Sequence, residues 1–260
     1  GRGNKMDKLI FTALGAASNQ SFQRVQLTND LANISTVGYK RSQSSRPESA
    51  YLNGPGFPTR FQPVVPSRVE RILMDTGTRM ETGNPLDIAM NDATVLGVQA
   101  EGGEVAFTRR GDLHVSSDGF LETGTGQLVL GEGGGAIAVP QGGIVNIAPD
   151  GTVFFQDPAV EAEPAQPIGQ LLIRDASAAT LVRRTDGLFE AEGSNGAGGD
   201  IPVGPNTASV DSGSLEGSNV SAVEVMVNLL DFYRSFETQM KVIKSSEEMD
   251  KDGSRLMRAG

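Results

Sequence analysis

Only one imidazole is available to this chain for acid–base chemistry. His114 sits in GDLHVSS between Leu113 and Val115, and strand alternation turns it away from those apolar neighbours toward solvent. A serine–histidine–acid triad would have to use it, yet no nucleophile motif lies nearby. Carboxylates are more plentiful. Glu81, Asp87, Asp92, Asp112 and Asp118 fall in one stretch, and two of them at a suitable separation would make a glycosidase pair. Acidic residues are equally what turns are made of, and that is the simpler reading. Gly131, Gly133, Gly134 and Gly135 have the composition of a phosphate loop. Neither a Walker lysine nor a strand-to-helix context accompanies them, so they read as a turn. With no cysteine and a single histidine, a zinc site lacks its ordinary ligands. No catalytic, cofactor-binding or metal-binding residue is assigned, and the chain reads as a non-enzyme without a cofactor.

Charge narrows the partners. Across 260 residues the formal net charge is −10, and nucleic acid is excluded because phosphate neutralisation needs concentrated Lys and Arg. The basic pairs Lys40-Arg41 and Arg109-Arg110 are short, and they read as solvated faces or local salt-bridge partners. No run is long enough to span a membrane. The stretch from Leu9 to Ala17 is interrupted by Thr12 and Gly15 and lacks a cleavage site, so neither direct membrane insertion nor a cleaved signal peptide is expected. Residues 1–5 read as an appended or upstream segment ahead of Met6. The absence of cysteine leaves the redox compartment open.

The elements that must carry any function lie at the two ends. Met226, Leu229, Tyr233, Phe236, Met240 and Ile243 follow one another at steps of three or four, the a/d rhythm of a coiled-coil seam. Ser221 and Glu224 are spaced as a capping box ahead of it, so residues 221–260 read as a C-terminal helix. Within residues 6–41 the segment from Asp7 to about Ile34 reads as an N-terminal helix, with Gly38 supplying the stop. Ile10, Leu14 and Leu31 are its candidates to face the seam or a neighbour's equivalent. Between the ends, residues 42–83 carry Pro47, Pro55, Pro58, Pro63 and Pro66 and read as an extended connector. Residues 84–211 alternate in short strands around Asp118-Gly119, Asp150-Gly151 and Asp186-Gly187, and residues 212–220 form a loop. The expected fold is α+β: an antiparallel β-rich central domain with long N- and C-terminal helices forming a coiled-coil-like assembly region. Such helices gain most of their stability from packing, so lasting order is expected only on assembly. A secreted β-rich carbohydrate- or surface-binding module is the alternative, and it accounts for the centre but not for the matched ends.

Those ends resemble a known family. LTNDLANISTVGYKR, with Asn29, Leu31, Ala32, Asn33, Thr36, Gly38, Tyr39 and Lys40, is similar to the N-terminal signature of the bacterial flagellar rod and hook proteins. Asp30 departs from it, standing where Asn is usual. The C-terminal stretch from LEGSNV onward resembles the family's other signature at Leu215, Glu216, Ser218, Asn219 and Val220. TGNPLDIAMND and FTRRGDLHVSSDGFLETGTGQLVLG are similar to its β domain. MDKLIFTALGAAS and the Gly217 of LEGSNV resemble the proximal rod members more than the distal ones. The resemblance implies a structural subunit of the flagellar drive shaft, in the basal-body rod within the periplasm. It implies terminal helices in an inner tube that transmit torque, and partners that are copies of itself and other rod proteins, especially the distal rod protein. It also implies passage through the flagellar type III export apparatus without a cleaved signal peptide.

Overall fold

Three Asp-Gly pairs organise the central domain, each closing an antiparallel hairpin. They join Leu113–Val115 to Leu121–Thr123, Ile144–Ile147 to Thr152–Gln156, and Leu181–Arg183 to Phe189–Ala191. Each glycine lies in the left-handed region, where a side chain would be strained. The computed structural model describes residues 21–44, 50–52, 59–61, 70–159 and 164–258. Among these, residues 21–34 with 220–258 form one compact unit and Ser35–Asn219 the other.

The larger unit is built on a seven-stranded antiparallel sheet. Its strands run in the order Ser42–Ser44, Glu70–Ile72, Leu181–Arg183, Phe189–Ala191, Val105–Thr108, Thr94–Gln99 and Ile173–Asp175. Apolar residues on both faces of Thr94–Gln99 explain its depth. Leu96 and Val98 join one core with Ile88, Leu121, Val129 and Leu171, while Val95, the residue before Leu96, joins a second core with Phe107, Leu181 and Phe189. The period of two along a strand thus feeds two cores from one element. Segment 42–83 contributes to this architecture. Ser42–Ser44 and Glu70–Ile72 are the outer two strands of the sheet, and Arg79–Glu81 pairs with Ser214–Glu216. Val210–Ser212 pairs with Ile88–Met90, so the end of the domain is threaded back onto its beginning.

The smaller unit overturns the expected fold class. Its described elements are a short helix, α1, over residues 21–32, and a longer one, α2, over Ala222–Arg258. Ile10 and Leu14 lie outside the described residues. The chain is β-rich, with eighteen strands among the described residues, and the expected pair of long terminal helices closed into a coiled coil is absent from them. On α2 the a/d side chains do not share a buried seam: Met226, Tyr233, Phe236 and Met240 are 54, 58, 46 and 43% exposed. The more covered row is Val225, Leu229 and Phe232, at i, i+4 and i+7, with Val225 buried and the other two half-buried. Val223, Val227 and Leu230 add a further exposed apolar arc. A 3,4 spacing marks an amphipathic helix, but a coiled coil needs the apolar residues confined to that one seam, and here they spread around the helix. At the helix start, Ser221 Oγ accepts from the Glu224 N–H at 3.4 Å. The helix then continues past Gly253 to Arg258. No helix among the described residues is long and apolar enough to cross a membrane.

Candidate functional site

The most concentrated chemistry in the larger unit is a buried charge cluster joining the two signature segments. Ser214–Glu216 is an inverted strand: Ser214 and Glu216 are buried while Leu215 is half-exposed. Register against Arg79–Glu81 turns the Glu216 carboxylate inward, where Lys40 and Arg109 meet it. Lys40 Nζ donates to Oε1 at 2.7 Å, and Arg109 donates to Oε2 from Nε at 2.8 Å and Nη2 at 2.5 Å. All three side chains are 3% exposed or less. Burial of ions is costly unless every donor finds an acceptor, and this cluster comes close to that. Arg109 also donates to the carbonyls of Asp92, Thr94 and Met90. Lys40 donates to the carbonyl of Asp75, and Glu216 Oε1 also accepts from the Gly77 N–H.

Two cations share one anion, and the titration of each group reflects that. Burial pushes the Lys40 and Arg109 pKa values down, and Glu216 offsets this only in part. Burial opposes ionisation of Glu216 as well, but Arg109 and Lys40 together hold its carboxyl below the ordinary value. The anion is over-compensated and each cation under-compensated.

Around this cluster the signature residues supply backbone fastening. Gly38, at φ 67°, donates its N–H to the Glu216 carbonyl at 2.8 Å. A Cβ there would collide with the backbone of Arg109 and Arg110, so the close approach needs glycine. Asn219 bridges three segments: its Oδ1 accepts from the Arg41 N–H at 2.7 Å, and its Nδ2 donates to the carbonyls of Leu73 and Asp75. Arg183 donates to the Lys40 carbonyl and lies over the rings of Tyr39 and Phe189 at 4.7 and 5.6 Å, a cation–π placement.

The signature residues thus divide. Gly38, Tyr39, Lys40, Glu216 and Asn219 converge on the clasp. Leu31 is half-buried on α1, and Asn33 bonds the Asn29 carbonyl at the end of that helix. Asp30, the departure from the usual signature, is buried, whereas Ala32 is exposed. Leu215 and Ser218 are half-exposed, Thr36 is intermediate and Val220 is buried. Met226, Leu229, Tyr233, Phe236 and Met240 lie on α2, which also carries Ile243. Reading Lys40 and Arg109 as solvated or locally paired is corrected here: both are buried and reach across 176 and 107 residues to Glu216. Arg110 does pair locally, with Asp112 at 2.6 Å. Sequence reasoning misses Arg109 and reads Glu216 as a signature residue without its buried partners. The available signal was a Glu flanked by strand residues whose apolar neighbour, Leu215, faces the other way.

The remaining candidates serve the fold. His114 is on a strand, 52% exposed, with Nε2 3.9 Å from Glu122. Asp87 accepts from Asn84. The Gly131–Gly135 segment closes a turn through backbone bonds, and its Glu132 carboxylate pairs with Arg174.

Chemistry of this kind fastens chain segments together, and the class it defines is a structural protein. Residues 211–256 match the model of the flagellar basal body rod FlgEFG protein C-terminal domain, and residues 92–155 that of the flagellar hook protein FlgE/F/G D1 domain. The flagellar basal-body rod protein FlgF of Escherichia coli is 37% identical over 94% of this chain and 95% of its own. FlgF of Salmonella typhimurium is 36% identical, covering 97% and 99%, and the rod protein FlgG of Agrobacterium fabrum is 30% identical, covering 94% and 97%. The chain belongs to the flagellar basal-body rod protein family. It is a structural subunit of the rod, in the flagellar basal body.

Proposed function

We propose that this subunit joins its neighbours through the apolar surface of α2, with Met226, Leu229, Tyr233, Phe236, Met240 and Ile243 as the contact row and Ile10, Leu14 and Leu31 contributing from the N-terminal segment. The observation that carries this is the exposure of Met226, Tyr233, Phe236 and Met240 on one helix. Large apolar side chains left in water cost about 1.5–3 kcal/mol each relative to burial, and a rod supplies the surfaces that would cover them. The partners are copies of this chain and other rod proteins, the distal rod protein among them, and the joint transmits torque. In this reading the rod subunit stands in the periplasm. The family resemblance supports delivery through the flagellar type III export apparatus without a cleaved signal peptide, and a structural role without catalysis.

Replacing Phe236 and Met240 by Asp tests the joint. Two carboxylates on the contact row should abolish swimming in soft agar and remove the protein from purified basal bodies. The circular dichroism and melting of the β unit should stay as in the wild type. Normal motility of the double variant would refute the contact row.

A further inference from the structure

We infer that Glu216 is the counter-charge of a latch that closes on residues 38–44 and opens from that side alone, leaving the rest of the β unit folded. One carboxylate serves two buried cations, so the cluster carries a net positive charge even when closed. The two cations are not anchored alike. Arg109 uses its remaining donors on the carbonyls of Met90, Asp92 and Thr94 and so has acceptors on the core strands that do not depend on Glu216. Lys40 has the Asp75 carbonyl and Glu216. Without the carboxylate charge, Lys40 becomes the less compensated buried ion, and carrying its ammonium out to water relieves that cost.

The segment that carries Lys40 is placed to leave. Ser42–Ser44 is the outermost strand of the seven-stranded sheet and has one neighbour, Glu70–Ile72. The fastenings of residues 38–41 include the bonds from Gly38 N–H to the Glu216 carbonyl, Leu73 N–H to the Arg41 carbonyl, Asn219 N–H to the Tyr39 carbonyl and Arg41 N–H to Asn219 Oδ1, with Arg183 donating to the Lys40 carbonyl and lying over Tyr39. None of these runs through the ladders between Thr94–Gln99, Val105–Thr108 and Ile173–Asp175. An edge strand can therefore peel away while the sheet's other end stays closed, a sub-global opening in the sense of native-state exchange. The latch thus decides whether the segment leading from α1 into the β unit is fastened to it.

Amide hydrogen exchange on the full chain tests this with Glu216→Gln and with the double variant Lys40→Met, Glu216→Gln. In E216Q the amides of Gly38, Arg41 and Leu73 should exchange about a hundredfold faster, the effect of unpairing a buried ion. The amides of Gly97, Val129 and Leu130 should keep their wild-type protection. Removing Lys40's charge in the double variant should restore Gly38 and Arg41 to within about tenfold of wild type, since each tenfold step corresponds to a small free-energy difference. Should E216Q fail to fold, a folded double variant with Gly38 protected supports the latch, and an equally unfolded one overturns it. Wild-type exchange at Gly38 and Arg41 in E216Q overturns it as well, as does a uniform loss across the sheet that Lys40→Met does not relieve.

Discussion

Glu216 couples the fold to pH with a definite sign. Burial works against its ionisation, yet Arg109 and Lys40 depress its pKa below the ordinary 4.5. The clasp's contribution is therefore fully present above that value and is lost as pH falls through the lower, folded-state pKa. Each unit of depression is worth about 1.4 kcal/mol. Denaturant unfolding measured stepwise from neutral pH into acid should show stability declining below 4.5, and Glu216→Gln should be less stable at neutral pH with a flatter acid limb. A variant with the wild-type acid slope would mean that other carboxylates carry it. The family signature made Lys40, Gly38, Glu216 and Asn219 visible in the sequence, but not what they do to one another. Lys40 beside Arg41 and Arg109 beside Arg110 look like solvated charge, because no local pattern registers a partner 176 or 107 residues away. Gly38 illustrates the same limit. It reads as a helix stop, and its closer constraint is the Arg109 backbone against which it packs.

Elements were legible where their cause is local. The Asp-Gly pairs identified three hairpins because the turn chemistry sits in two adjacent residues. Segment 42–83 hid its strands, since three-residue strands such as Ser42–Ser44 and Arg79–Glu81 are polar and gain their order from distant partners. On α2 the spacing picked out apolar residues correctly but not which arc is covered, because Val225, Leu229 and Phe232 share the helix with two exposed arcs. The start of α2 is a local matter again. Ser221 Oγ receives the Glu224 N–H, and Val225 N–H bonds the Ser221 carbonyl. Replacing Ser221 by Ala removes the side-chain acceptor, at a cost of about 0.5–1 kcal/mol, the low end for an N-cap because 3.4 Å is a long bond. Amide exchange at Glu224 and Val225 should accelerate by roughly two- to fivefold, with the middle of the helix unaffected. Unchanged exchange would assign the cap to another group.

At the scale of the whole molecule, the partners of the clasp all belong to the larger unit. Lys40, Gly77, Arg109, Glu216 and Asn219 lie within Ser35–Asn219, so the β unit contains its own charge compensation. A fragment of residues 35–219 should therefore fold, with a single cooperative thermal transition and with Gly38 and Arg41 protected from exchange. Ending the fragment at residue 213 removes Ser214–Glu216 from its pairing with Arg79–Glu81. It also removes the acceptors of Gly38 and Gly77 and the carboxylate that pairs with both Lys40 and Arg109. Unpairing a buried ion costs about 3–5 kcal/mol. In a domain of this size each kcal/mol lowers the melting temperature by roughly 2–4 °C, so the shorter fragment should melt about 6–20 °C below the longer one. Equal melting temperatures would mean that the last strand and its carboxylate are dispensable to the β unit. The predicted gap would make the C-terminal signature part of the domain's own closure, completed by the last strand of the unit before α2 begins.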